Sequence, residues 1–199
     1  KLTLDHYNLD TITKNYRTPI YCYSLKKIKN NIQILKHHFK KINPLICYAV
    51  KANSNLTVLK EIKKLNLGAD VVSGGELMKA LKAGINPKKI VFSGVGKISE
   101  EIEYAISKNI LLINAESKSE ILEIEKIAKK RKKIVNIGIR LNPNTDAKTL
   151  SQISTGKKEN KFGVNQKVFL QLVNFIKKSK YLSLKCLSVH IGSQILSYK

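Results

Sequence analysis

The sequence predicts an α/β fold in which parallel strands alternate with helices. Short apolar runs recur at intervals of roughly 20 to 25 residues, and each is followed by a segment whose apolar residues have helical spacing. A strand–helix unit of this length requires right-handed crossovers and a parallel sheet. Polar residues end one predicted strand after another, which is typical of a (β/α)8 barrel of the TIM type. A doubly wound Rossmann sheet would instead show GxGxxG after an early strand, and the sequence has none.

About six βα units are present in the 199 residues, so we expect an incomplete barrel over 31–199, truncated at its C-terminus. Residues 1–30 are assigned to a segment that contributes to a second β domain. The N-terminal strand of that domain is predicted at 18–23, a β-prone run opened by a proline. Ser24 then caps a helix that ends near Phe39. We therefore expect the chain to be an N-terminal fragment of a protein about twice as long.

The barrel elements follow from the apolar runs and the turn residues between them. The strands are predicted at 45–51, 69–72, 89–92, 110–113, 134–141 and 182–189. The helices are predicted at 56–65, 74–83, 98–108, 117–130 and 165–178. Gly68 and Gly84 close the first two helices, as glycine commonly does at a helix C-terminus.

The first barrel strand ends in Lys51. Its apolar run, Leu45-Ile46-Cys47-Tyr48-Ala49-Val50, predicts burial on both faces, so we expect the Lys51 ammonium group to lie against dry protein. Burial disfavours the charged form, and an uncharged lysine forms Schiff bases with carbonyls such as that of pyridoxal phosphate. Since all but three of the 37 basic residues are lysines, one lysine after a strand is weak evidence by itself.

Further polar side chains stand at the ends of the later strands. They are Asp70, Ser93, Asn114, Arg140 and His190. The carboxyl ends of parallel barrel strands meet at one rim, where such residues build an active site. Alternation along the strands puts Lys51, Arg140 and His190 each on a face shared with small or polar residues. An interior that faces a site requires this pattern.

Four segments carry a family resemblance in their order along the chain. They are Tyr48-Ala49-Val50-Lys51-Ala52-Asn53, Asp70-Val71-Val72-Ser73-Gly74-Gly75-Glu76, the run from Ile153-Ser154-Thr155-Gly156 to Lys161-Phe162-Gly163, and His190-Ile191-Gly192-Ser193-Gln194. Together they resemble the diaminopimelate decarboxylase family, pyridoxal-phosphate-dependent enzymes with an alanine-racemase-like barrel. The Ser-Thr-Gly start of the third segment is more similar to this family than to ornithine or arginine decarboxylases. The likeness extends from about Thr18 to Gln194.

The resemblance implies roles for individual residues. Lys51 would hold pyridoxal 5'-phosphate covalently and be displaced by the substrate amine. His190 would stack on the cofactor ring, and the turn at Gly192 and Ser193 would help to bind its phosphate. Arg140 would lie near the cofactor. The physical chemistry agrees, because an imidazole offers a flat face and a glycine turn exposes N–H groups to an anion.

The resemblance also implies that Asp70 and Glu76 lie near the lysine and bind the cofactor region. A carboxylate there would stabilise the protonated lysine, which helps when the lysine returns a proton. Structural alternatives stay open for several residues. Ser73 with Glu76 forms a capping box, which is sufficient to explain both. His190 is also explained by a hydrogen-bonded histidine before a turn, and Arg140 by a surface salt bridge.

The activity implied by the resemblance is decarboxylation of meso-2,6-diaminopimelate to L-lysine and carbon dioxide. The resemblance further implies that the full-length protein is a homodimer. It also implies two elements that this sequence lacks, an acidic partner of the pyridine nitrogen and a glycine-rich phosphate loop. We therefore expect the fragment alone to be inactive and to bind pyridoxal phosphate weakly. The alternatives are a decarboxylase of the same fold acting on ornithine, arginine or carboxynorspermidine, and an alanine-racemase-type enzyme, which the fourth segment and Lys161-Phe162-Gly163 fit poorly.

Composition narrows the remaining classes. A net charge of +23 suggests nucleic-acid binding, but the excess is lysine spread over every predicted helix, with only three arginines. We therefore predict no nucleic-acid partner. Two non-enzymatic alternatives stay open, a basic nucleic-acid-binding protein and a regulatory barrel that carries the cofactor. No apolar run approaches the length of a membrane span. Cys22, Cys47 and Cys186 form no CxxC pair and are predicted to be buried in a reducing cytoplasm, and no metal site is expected.

Overall fold

A computed structural model describes residues 2–145 and 162–193 of the chain. The chain divides into two compact units, 1–45 and 46–199. Of the segments that carry the family resemblance, 153–161 and Gln194 lie outside the described residues.

The N-terminal unit contains a short hairpin and two helices. Its elements are β1 (Thr3–Leu4), β2 (Tyr7–Asn8), α1 (Leu9–Asn15) and α2 (Leu25–His38), with β1 and β2 antiparallel. The Ser24 hydroxyl accepts a hydrogen bond from the Lys27 N–H at 2.8 Å and so caps α2. The predicted start and end of this helix are confirmed.

The strand predicted at 18–23 is not formed, since these residues have no regular secondary structure. A β-prone run becomes a strand only when a neighbour takes up its N–H and C=O groups. The side chain of Tyr21 is 91% exposed, and Cys22 is exposed rather than buried as predicted. The assignment of residues 1–30 to a second β domain stays a prediction.

The second unit alternates strands and helices. The strands are β3 (Cys47–Ala49), β4 (Gly68–Val71), β5 (Ile90–Phe92), β6 (Leu112–Ala115), β7 (Val135–Leu141) and β8 (Leu182–Val189). The helices are α3 (Leu56–Lys64), α4 (Gly74–Lys82), α5 (Ser99–Ser107), α6 (Lys118–Lys130) and α7 (Gln166–Lys178). Short 3-10 helices lie at Val50–Ala52 and Pro87–Lys89.

The six strands form one parallel sheet in the order β3-β4-β5-β6-β7-β8. Each strand pairs with the next one along the chain, whereas a doubly wound sheet reverses its strand order at a switch point. The sheet is therefore a partial (β/α)8 barrel, as predicted. Its edge strand β3 is only half-buried along its length, while β6 is buried at every position. The prediction that β3 is buried on both faces was therefore wrong, because β3 lies at the edge of the sheet.

The helices begin where polar side chains accept the first free N–H groups. Asn55, Ser73, Ser117 and Asn165 cap α3, α4, α6 and α7 in this way. The apolar faces of the helices supply much of the core, including Ile62, Leu77, Ile102, Ile121 and Ile176. Within the described parts of the chain, no helix combines the length and apolarity that crossing a membrane requires.

Gly68 opens β4 at a point where no side chain fits. A Cβ atom there would lie 2.2 Å from the Lys89 carbonyl oxygen and 2.7 Å from the Cys47 sulfur. We expect Gly68→Ala to destabilise the chain by about 1–3 kcal/mol through overpacking. Gly96→Ala is the matched control, because no atom lies within 4 Å of the added methyl group, and it should change stability by at most about 1 kcal/mol. Urea unfolding measures both, and equal midpoints would contradict the expectation.

Candidate active site

A cavity of about 520 Å³ opens at the carboxyl ends of the strands. Four of the predicted site residues line it, namely Lys51, Asp70, Arg140 and His190. Other polar and aromatic residues of the lining are Ser93, Asn114, Glu116, Phe162 and Ser188. The sheet thus brings together the side chains that the sequence assigned to successive strand ends. Among residues 2–145 and 162–193, no three His, Cys, Asp or Glu side chains are grouped to hold a metal ion.

Lys51 does not lie in the strand that precedes it. β3 ends at Ala49, and Lys51 is the middle residue of a 3-10 turn whose first residue, Val50, is fully buried. The Lys51 side chain is exposed, so the predicted burial of its ammonium group was wrong. Strand alternation does not apply in this turn. Lys51 and Cys47 nevertheless both line the cavity.

Asp70 is held by a short chain of hydrogen bonds across three strands. The Ser93 hydroxyl donates to Asp70 Oδ1 at 2.6 Å, and Asn114 Nδ2 donates to Ser93 Oγ at 3.2 Å. Burial raises the pKa of the Asp70 carboxyl, while the Ser93 hydrogen bond and the charges of Lys51, Arg140 and His190 oppose that rise. Asp70 is therefore the acidic group on which the basic side chains of the cavity converge.

The barrel interior is closely packed beneath Asp70. Asn114 pairs with Gly138 in the sheet, and a Cβ atom on Gly138 would lie 2.0 Å from Asn114 Oδ1. Glycine at this position lets the buried amide lie flat against β7. Burial, with the nearby charge of Asp70, raises the pKa of the Cys47 thiol to about 11. That thiol is accordingly a packing group and a poor nucleophile at neutral pH.

Arg140 near the end of β7 is fixed from two sides. Its Nη1 lies 3.1 Å and 3.2 Å from the two carboxylate oxygens of Glu116, and its guanidinium carbon lies 4.9 Å from the centre of the Phe162 ring. The side chains of Arg140 and Glu116 are only 13% and 2% exposed. Arg140 therefore forms a salt bridge, but inside the cavity and not on the surface.

The segment at Phe162–Val164 returns to the end of β7. The Val164 N–H donates to the Arg140 carbonyl, and the Asn142 N–H donates to the Val164 carbonyl, both at 2.8 Å. Gly163 has a φ of 74°, and a Cβ atom there would lie 2.8 Å from the Arg140 carbonyl oxygen. Glycine thus permits the tight return that puts Phe162 over Arg140.

His190 follows β8 and lines the cavity. Gly192 and Ser193 come next in the chain and are not among the described residues that line it. Gly192 has a φ of 153°, a conformation that glycine adopts readily. Ser188, Val189 and His190 all line the cavity, so strict alternation does not hold at the end of this strand. Burial, together with the charges of Arg140 and Lys51, lowers the pKa of the His190 imidazole, so it is neutral at pH 7.

The lowered pKa of His190 makes a contribution to stability that depends on pH. The unfolded chain binds the proton more readily than the folded one, so this contribution is complete above about pH 6.5 and is lost as the pH falls through the lowered pKa. We expect the unfolding free energy of the wild type to fall more than that of His190→Gln between about pH 6.5 and 5. An NMR titration of the imidazole that gave a pKa above 6.5 would contradict this.

Glu76 serves the start of α4. Its carboxylate accepts the Val72 N–H at 2.9 Å, and its own N–H donates to Ser73 Oγ at 3.2 Å. The Ser73 cap that the alternative requires is present, but the carboxylate binds the N–H of Val72 and not that of Ser73, so the capping box is only half formed. Glu76 is not among the described residues that line the cavity. Glu120 repeats the arrangement at the start of α6, where it accepts the Glu116 N–H and donates to Ser117.

The sequence analysis missed Glu116 and the nearby Lys97. Glu116 lies two residues beyond Asn114, so strand alternation could have placed both on the interior face. Lys97 had no such signal in a chain so rich in lysine. Its side chain is fully buried, and its Nζ lies 2.7 Å from Glu120 Oε1.

Comparison with known families gives one match over most of the chain. Residues 25–199 match the model of the pyridoxal-dependent decarboxylases, pyridoxal binding domain. Among curated proteins, diaminopimelate decarboxylase of Helicobacter pylori strain J99 is 50% identical over 190 residues, which are 96% of this chain and 47% of that protein. The enzyme of the same name from Campylobacter jejuni is 45% identical, over 93% of this chain and 46% of its own.

A solved structure shows the same architecture. The crystal structure of diaminopimelate decarboxylase from Helicobacter pylori, complexed with L-lysine, superposes with a TM-score of 0.93 and 49% identity. The match covers 96% of this chain and 48% of that one. The chain thus spans about half the length of the curated relatives that it matches.

Proposed function

Since the chain belongs to the pyridoxal-dependent decarboxylase family, we propose that it carries the cofactor-binding part of a diaminopimelate decarboxylase. The reaction would be loss of carbon dioxide from meso-2,6-diaminopimelate to give L-lysine. The observation that carries this proposal is the convergence of Lys51, Asp70, Arg140 and His190 on one cavity at the strand ends. Identity of 50% to an enzyme of that name supports the choice of substrate.

The cavity fits pyridoxal 5'-phosphate in size and in chemistry. Its volume of about 520 Å³ lies within the range of small-molecule sites. The exposed Lys51 in its lining offers an amine for the aldehyde, and the neutral imidazole of His190 offers a flat face for the ring. Lys51 is also an exposed cation of the lining, and it can attract an anionic ligand. When bound, the cofactor supplies an electron sink for the carbanion that decarboxylation leaves behind.

We assign each side chain a task that its contacts support. Lys51 Nζ would bind the cofactor covalently and later return a proton to the substrate carbon. Asp70, with its carboxylate held by Ser93, would favour the protonated form of that amine. His190 would orient the ring. Arg140, paired with Glu116, would present a fixed positive charge.

The phosphate would bind at the turn that follows His190. Gly192 and Ser193 would supply an N–H group and a hydroxyl to the anion, since a glycine turn leaves its N–H groups accessible. We retain Glu76 as a residue that supports the cofactor site indirectly, through its hydrogen bonds at the start of α4. We further propose a homodimer and a cytoplasmic location for the full-length protein, the latter in keeping with three free cysteines.

Substrate turnover by the full-length protein tests the proposal. The enzyme loaded with pyridoxal phosphate should release equal amounts of lysine and carbon dioxide from meso-diaminopimelate. Ornithine, arginine and carboxynorspermidine are assayed beside it. Release of carbon dioxide from one of these alone would show that the proposed substrate is wrong, while the assignment to the family would stand. Cofactor binding without any decarboxylation would favour the non-enzymatic alternative.

A further inference from the structure

Glu116 occupies a position that the assigned tasks do not explain. It follows β6, its side chain is 2% exposed, and it lines the cavity. Both carboxylate oxygens contact Nη1 of Arg140. Oε1 also accepts the Gly94 N–H at 3.0 Å. One buried carboxylate therefore binds a side chain of β7 and the backbone of the loop after β5.

The loop at Gly94–Lys97 is held from its other side as well. Lys97 Nζ donates to the Gly94 carbonyl and pairs with Glu120 at 2.7 Å, so both polar groups of the Gly94 backbone bind buried charged side chains. The Glu116 N–H donates to Glu120 Oε2 at 2.9 Å. Glu116 is thus the point where the Lys97–Glu120 pair, the loop and Arg140 join.

Among the described contacts of the Arg140 guanidinium, Glu116 is the polar partner. Phe162 attracts the guanidinium through a cation–π contact, which is less directional than a hydrogen bond. The two oxygens of Glu116 supply the directional contact. Without them, a mostly buried guanidinium would turn toward another acceptor in the cavity.

We propose that Glu116 is a positioning residue that orients Arg140 toward the cofactor and ties that orientation to the loop at Gly94–Lys97. Glu116 acts through Arg140, because its oxygens are engaged by Arg140 and Gly94 and its side chain is almost fully buried. The inference rests on the proposed function, since it takes Arg140 to face bound pyridoxal phosphate.

A double-mutant cycle in the full-length protein tests this. The dissociation constant for pyridoxal phosphate and the absorbance band of the bound cofactor are measured for wild type, Glu116→Gln, Arg140→Lys and the double variant. Glu116→Gln should weaken binding about tenfold. In the Arg140→Lys background, it should weaken binding less than about twofold, because coupled residues are not additive. Glu103→Gln, which breaks an exposed ion pair with Arg131, is the control and should leave both readouts unchanged.

The proposal is overturned if the changes in dissociation constant caused by Glu116→Gln and Arg140→Lys multiply in the double variant. It is also overturned if Glu116→Gln leaves the affinity unchanged. A loss of stability without a change in affinity or absorbance would show a structural role alone and overturn it too. If Glu116→Gln does not fold, the cycle is run with Glu116→Asp, which keeps the charge. A wild-type protein that binds no pyridoxal phosphate would refute the proposed function, and this inference with it.

Discussion

Replacement of Lys51 by alanine is expected to abolish decarboxylation by the full-length enzyme. The rate should fall by on the order of 10³-fold or more, because no other group would replace an amine that binds the cofactor and returns the proton. Borohydride reduction of the wild type should leave a pyridoxyl mass on the peptide that contains Lys51, and Lys51→Ala should carry none. Unfolding should change little, since the side chain is exposed.

Two control variants separate the amine from its charge. Lys51→Arg keeps a positive charge but offers no nucleophilic amine, so it should be as inactive as Lys51→Ala. Lys60→Ala removes an exposed lysine of α3 and should behave as wild type. A pyridoxyl mass on another lysine, or substantial turnover in Lys51→Arg, would show that the assignment of the nucleophile is wrong.

Replacement of Lys97 by alanine is expected to destabilise the barrel unit by about 3–5 kcal/mol. The side chains of Lys97 and Glu120 are 0% and 10% exposed, so the variant leaves a buried carboxylate without its cation. Burial already raises the pKa of Glu120, and Lys97 opposes that rise. Loss of Lys97 raises the pKa further. The deficit should therefore be smallest in acid, where Glu120 is protonated, and grow as the pH rises. Urea unfolding over a pH series measures it.

Lys126→Ala is the matched control for Lys97→Ala. Lys126 pairs with Glu123 at 3.4 Å on the surface and is 76% exposed, so its loss should cost at most about 0.5 kcal/mol. A double variant, Lys97→Met with Glu120→Leu, replaces both charges by apolar groups and should recover most of the stability. Equal effects of Lys97→Ala and Lys126→Ala would contradict the importance of burial here.

The elements that could be predicted to the residue are those with a chemical boundary signal. Ser24 caps its helix as predicted, and the helix predicted from 117 begins one residue later, with Ser117 as its cap. β6 was predicted two residues early because Ile110 and Leu111 are apolar without being paired. The Leu111 N–H bonds to the Pro87 and Ile90 carbonyls instead. An apolar run shows that a segment packs in the core, but the register with its neighbour decides where pairing begins.

The site was predictable as a set of strand ends and less so in its contacts. Alternation found Arg140 and His190, since each belongs to or follows a long strand. It failed for Lys51, because the chain leaves the strand two residues earlier and turns toward solvent. The pairing of Arg140 with Glu116 depends on how β6 and β7 align, and a single sequence does not contain that information.

The spacing of paired residues also bears on how freely the connections between strands can vary in length. Cys47 and Gly68, Ala69 and Ile90, and Val91 and Leu112 each pair across 21 residues, whereas Val135 pairs with Leu182 across 47. Chain-closure entropy grows only with the logarithm of the enclosed length, so the longer excursion costs about 0.7 kcal/mol more. Lengthening or exchanging the segment between β7 and α7 should therefore change the free energy of folding only slightly. The pairing of β7 with β8 thus tolerates changes of length in the segment that joins them.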